Sequence, residues 1–148
     1  MDAATPTSLA ATASFRLGTI GTIATNRFTE RIEVLGLKVK DVGLLRLLED
    51  GGPASQLEVA RIMGVAPSLV VTVADRLEAL GAVRRLRDPG DRRRQQLVLT
   101  EAGRELLERC TTAARELDAE LTAGLDEPAR QALNSALGTL AASLGLPS

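Results

Sequence analysis

Histidine, tryptophan and tyrosine are absent from these 148 residues, and only Phe15 and Phe28 are aromatic. Without imidazole there is no usual zinc site and no side chain that ordinarily titrates near neutrality. A single cysteine, Cys110, excludes an internal disulfide framework and a thiolate cluster, and it fits a reducing compartment. No G-x-x-x-x-G-K-[ST] loop is present to cradle phosphates, and no pair of carboxylates stands out as an acid–base site. No apolar run approaches the length of a membrane span. The opening MDAATPTSLAATASF lacks the basic flank of a signal peptide. These absences lead us to expect a cytoplasmic protein that is not an enzyme, with no catalytic residues, no metal, no cofactor and no membrane partner.

What is present is globular: 45% hydrophobic and 25% charged residues, with leucine, valine, isoleucine and alanine left to fill the core. The formal net charge of −1 conceals a strong local asymmetry. Six arginines, no lysine and only two aspartates lie between Arg84 and Arg94. A solvated loop would tolerate this, but it would not require arginine six times. The guanidinium fork suits phosphates and narrow grooves, so the cluster points to an anionic partner.

Periodicity organises the rest. From Ser8 to Leu35, Leu9, Ala13, Leu17, Ile20, Ala24, Phe28, Ile32 and Leu35 recur at helical spacing. KDVGLLRLLEDGG reads as a short helix stopped at Gly51-Gly52. SQLEVARIMG opens with Ser55 and Glu58 in capping-box spacing and closes on Gly64. VAPSLVVTVADRLEALG restarts a helix near Pro67, with Val70, Val73, Leu77 and Leu80 as its inward stripe. Two helices joined by MGVA form a helix-turn-helix. AVRRLR, DPGDRR and QQLVLT then read as strand, turn and strand, so a hairpin wing follows the pair. Thr100 caps a long helix reaching about Gly124, with Leu106, Cys110, Ala113, Leu117 and Leu121 on one face. Asp126 caps the last helix, with Pro128 in its first turn and a stripe of Leu133, Leu137, Leu140 and Leu144. The expected fold is mainly α with a small β-hairpin wing. An N-terminal dimerisation helix (8–35) and C-terminal dimerisation helices (101–146) flank a winged helix-turn-helix domain (41–100). The flanking apolar stripes suit either a dimer interface or helices folded back on their own subunit.

The run LLRLLEDGGPASQLEVARIMGVAPSLVVTVADRLEALGAVRRLRDPGDRRRQQLVLTEAG resembles the MarR family of prokaryotic transcription regulators. Its most specific elements are Asp91-Arg92-Arg93 followed by Leu99-Thr100 and Gly103, all after DRLEALGAV. The resemblance implies an obligate homodimer that binds palindromic operator DNA, usually as a repressor. One helix enters the major groove and the wing enters an adjacent minor groove, whose negative potential draws in arginine. It implies that Arg93 is the inserted side chain, its guanidinium oriented by donating a paired hydrogen bond to Asp91, with Arg92 and Arg94 along the phosphates and Arg87 also at the DNA. The rival for Asp91 and Arg93 is a purely bracing role in the turn. Pro67, Ser68, Leu69, Thr72 and Arg76 would present the recognition surface, and Ser55 and Gln56 would meet the DNA backbone. Exposed Leu69 and Val71 suit contact with thymine methyl groups and suit ordinary helix packing equally.

The resemblance also implies an effector, commonly a small aromatic anion. Phe15, Arg16, Asn26, Arg27, Phe28 and Arg31 on the first helix are candidates to line its pocket, against the alternative of core phenylalanines and surface arginines. Cys110 is open to a redox-sensing role or to that of an inert small hydrophobe. A winged helix serving protein contacts is the remaining alternative function.

Overall fold

A computed structural model describes residues 5, 7–91 and 93–146. A single 3₁₀ turn, Leu9–Ala11, precedes helix α1, Ala13–Glu33. The helix expected from Ser8 therefore starts later, because Thr12 interrupts it. The Thr12 hydroxyl donates to the Leu9 carbonyl at 2.7 Å and accepts the Phe15 N–H at 3.4 Å, so Thr12 acts as the N-cap. Helix α2 spans Val39–Gly51 and ends at Gly52, whose φ of 76° is the left-handed value that favours glycine. At its start Asp41 accepts the Lys38 N–H at 2.7 Å.

The capping box reads out as spaced. The Glu58 N–H donates to the Ser55 hydroxyl, and the Ser55 N–H donates to the Glu58 carboxylate, both at 3.2 Å. Helix α3, Gln56–Met63, ends at Gly64 in the left-handed region, and α4, Pro67–Ala79, follows. The buried stripe of α4 is Val70, Val73, Ala74 and Leu77. Leu80, expected to continue it, is 44% exposed. Its place is the C-cap, one residue before Gly81 turns the chain away, so it points off the core rather than along the stripe.

Strands β2, Val83–Arg87, and β3, Gln95–Leu99, pair antiparallel as a hairpin with Val83 opposite Leu99 and Arg87 opposite Gln95. A two-residue strand β1, Ala54–Ser55, joins the other edge of β3, placing Ala54 opposite Leu97. The sheet thus has three strands in the order β1-β3-β2. Two residues are too short to show a period of two, which is why only the hairpin is legible in the sequence.

Helix α5, Glu101–Leu121, stops short of the expected Gly124, and α6 spans Glu127–Ser143. Asp126 accepts the Ala129 N–H at 2.9 Å as the cap of α6. At the root of α5, the Thr100 hydroxyl accepts the Gly103 N–H at 3.0 Å and donates to the Gly81 carbonyl at 2.6 Å. No single helix among the described residues is long and apolar enough to cross a membrane.

The chain divides into two compact units, one running to Ala114 and one starting at Arg115. In the first, Ile32, Leu37, Leu44, Leu45, Val59, Leu77, Val83 and Leu97 are essentially fully buried. Leu106, Leu107 and Cys110 pack on that core, which draws the first half of α5 into the winged helix. In the second unit no residue of α6 is buried, and Leu133, Leu137, Leu140 and Leu144 all face outward. Much of α1 is similar: of its residues only Ile32 is buried, while Phe15, Leu17, Ile20 and Ile23 are exposed.

Candidate nucleic-acid interface

Burying Val70, Val73, Ala74 and Leu77 obliges the rest of α4 to face solvent. Pro67, Ser68, Leu69, Val71, Thr72 and Asp75 are all exposed. The Thr72 hydroxyl donates back to the Ser68 carbonyl at 3.2 Å. Arg76 is the exception to the expected reading surface. Its Nε and Nη2 donate three hydrogen bonds of 2.8–3.1 Å to the carboxylate of Asp41, which is completely buried. The guanidinium expected on the recognition surface is here the counter-ion that makes burial of Asp41 tolerable. The hydrogen bond to Asp41 holds the Arg76 pKa above its ordinary value, against the opposing effect of burial.

Arg85, which sequence reasoning passed over, ties the wing to α4. It donates to Asp75 at 2.6 Å, to Glu78 at 3.2 Å, and to the Gln56 side chain and the Val71 carbonyl at 3.4 Å each. One signal was available: Arg85 shares its strand face with buried Val83, and Asp75 and Glu78 lie one helical turn apart. Gln56, expected at the DNA backbone, therefore lies beside the wing root, and Ser55 pairs with β3 while capping α3.

At the wing tip the turn is held by backbone and aspartate. The Asp88 N–H donates to the Arg94 carbonyl at 2.9 Å, and the Asp88 carboxylate accepts the Gly90 N–H at 2.8 Å. Asp91 accepts the backbone N–H of Arg93 at 3.0 Å, and its other oxygen lies 4.0 Å from the Arg94 guanidinium. The expected Asp91–Arg93 guanidinium pair is not formed; Asp91 is two residues from Arg93 and closes an Asx turn on its backbone instead. Arg87, Arg93 and Arg94 are exposed, and Arg92 lies outside the described residues. The fold thus brings α4, the α3 start and an arginine-bearing wing together through Arg85.

Within one subunit, the six residues expected to line an effector pocket are spread along α1. Phe15 is exposed, and Phe28, thirteen residues later, packs on the core; on one helix that separates them by about 20 Å. Arg16, Asn26 and Arg27 are exposed, and Arg31 donates to the Arg27 carbonyl at 3.4 Å. A mostly apolar groove lies elsewhere, lined by Lys40, Leu44, Met63, Val65, Leu69, Val70 and Val73. Cys110 is buried, and burial pushes its thiol pKa up against the opposing charge of Arg109, so a reactive thiolate is disfavoured.

Residues 39–94 match the family described as the MarR family. The transcriptional repressor NicR of Pseudomonas putida is 38% identical over 77 residues, 52% of this chain, and the match spans about half of that relative, 48% of its length. The transcriptional repressor Rv2887 of Mycobacterium tuberculosis is 31% identical over 109 residues, covering 74% of this chain and 78% of the relative. A crystal structure of Rv2887 in complex with DNA superposes with a TM-score of 0.75 at 28% identity, covering 88% of this chain and 98% of that one. CouR of Rhodococcus jostii, solved bound to p-coumaroyl-CoA, gives a TM-score of 0.72 at 27% identity, covering 97% of this chain and 98% of that one.

Proposed function

The chain belongs to the MarR family of transcription regulators, and from that premise we propose that it is a homodimeric repressor of a palindromic operator. Each subunit lays α4 in the major groove and sets its wing arginines in the flanking minor groove. The observation that carries this reading is the pairing of an outward α4 face with a wing whose Arg87, Arg93 and Arg94 are exposed, the two clamped together by Arg85. The Rv2887 complex supports it by showing a relative of the same fold on DNA. The exposed apolar faces of α1 and α6 support the dimer, since contiguous leucine and isoleucine at helical spacing are costly to leave in water.

The protein is released from DNA by a small aromatic or anionic ligand that favours a half-separation misfitting the operator. CouR with its bound p-coumaroyl-CoA supports this class of effector. Phe15, Arg16, Asn26, Arg27, Phe28 and Arg31 meet such a ligand through the dimer rather than within one subunit.

Sedimentation of the full chain with and without genomic fragments selected on it tests the reading. A dimer is expected, bound to half-sites about 34–36 Å apart with a steep salt dependence. A monomer, or binding without twofold symmetry in the footprint, overturns it.

A further inference from the structure

The side chains that ordinarily read purines in the major groove are arginine or lysine on guanine and asparagine or glutamine on adenine. Helix α4, PSLVVTVADRLEA, contains no lysine, asparagine or glutamine, and its single arginine is Arg76. Three hydrogen bonds commit that arginine to buried Asp41. The other charged groups of the helix, Asp75 and Glu78, are both held by Arg85, at 2.6 and 3.2 Å. The hydroxyl proton of Thr72 is directed to the Ser68 carbonyl within its own helix.

What remains on the outward face is Ser68 and a set of carbon surfaces. At 100° per residue, Leu69 and Val71 flank Ser68 and Thr72 on either side, and both are exposed. Pro67 adds an exposed ring at the helix start. Such a surface has one partner of matching chemistry in the major groove, the C5-methyl group of thymine. The arginines of the adjoining wing supply the charge that holds this apolar face against a polyanion, so the occupant is duplex DNA and not an apolar protein groove.

We propose that α4 reads its half-site through thymine methyl groups, with Leu69 and Val71 as the specificity-determining residues and no bidentate purine contact from this helix. The inference rests on the reading of the chain as a DNA-binding regulator.

The test selects duplexes from a randomised pool with the full-length protein and rebuilds the strongest one with deoxyuridine in place of thymidine. This removes the methyl groups and keeps every Watson–Crick edge. Binding is expected to weaken about fourfold for each methyl group contacted, the factor equivalent to one buried methylene. Leu69→Ala and Val71→Ala are expected to bind the thymidine duplex less well and to lose much of the thymidine-over-deoxyuridine preference. Their slope of affinity against salt stays that of the parent. Equal affinity for both duplexes overturns the methyl reading and leaves the regulator reading standing. A preference that survives intact in both variants overturns the assignment to these residues. Failure to enrich any duplex removes the regulator reading, and this inference with it.

Discussion

Arg76 on α4 grips Asp41 on α2 across 35 residues of sequence, through three hydrogen bonds to a carboxylate with no exposed surface. The pair fixes α4 to α2. Removing Arg76 alone leaves Asp41 buried without its counter-ion, at a cost of about 3–5 kcal/mol. Arg76→Ala is expected to lower the urea midpoint accordingly, whereas the double variant Asp41→Leu with Arg76→Leu recovers much of the loss. The pKa of Arg76 is raised, so its contribution is complete below the unfolded arginine value and fades only in strong alkali, as pH rises through the folded value. Arg76 itself therefore contributes no pH dependence between about pH 6 and 9.

Asp91 supports the wing by accepting a backbone N–H, a job an amide oxygen also performs. Asp91→Asn is expected to keep most of the affinity for selected DNA, and Asp91→Ala to lose it together with the turn. Arg93→Ala should weaken binding steeply and lower the salt slope by about 0.9 if it neutralises one phosphate. Titrations at several salt concentrations decide between these outcomes.

Arg85 is mostly shielded, while its partners Asp75 and Glu78 are 63% and 46% exposed, so the cluster adds little stability, roughly 0–1 kcal/mol. Its effect lies in aim. Arg85→Ala is expected to reduce operator affinity well beyond its small shift in melting temperature. Arg85→Lys restores only part, because an ammonium cannot span two carboxylates and Gln56 at once. Parallel melting and binding measurements on both variants check this.

Gly103 is demanded by contact rather than by backbone angle. A Cβ there would lie 2.1 Å from the Ala82 carbonyl oxygen and 2.6 Å from a Leu99 methyl. Gly103→Ala must push α5 off the sheet, and a loss of at least about 1–3 kcal/mol in denaturant unfolding is expected. Gly124→Ala, with open space around it, serves as the neutral control.

Cys110 is buried with its thiol pKa raised, so it should react with a thiol reagent only on unfolding. Peroxide is expected to leave DNA binding unchanged, and release of DNA that disappears in Cys110→Ala would contradict this.

Local chemistry was the legible part of the sequence. The Ser55–Glu58 box, the left-handed Gly64, Pro67 at the start of α4 and the Pro-Gly turn each act within a few residues, and each element formed where they place it. Contacts that span the chain leave no such mark. Nothing near Asp41 announces Arg76, and Arg85 reads as one more wing arginine until α4 is folded beneath it. Strand β1 exists only because β3 offers it an edge. Leu80 follows the helical spacing faithfully, yet the helix ends before that spacing applies to it.

The corner at Thr100 has a mechanical meaning. One hydroxyl joins the carbonyl that follows α4 to the first turn of α5, directly after the returning strand, and Gly103 sits flush against the same corner. Because these three parts share one corner, a tilt at the root of α5 is expected to move α4 and the wing with it. On the proposed reading α4 and the wing are geared to one shaft, and release from the two grooves is expected to be concerted rather than stepwise.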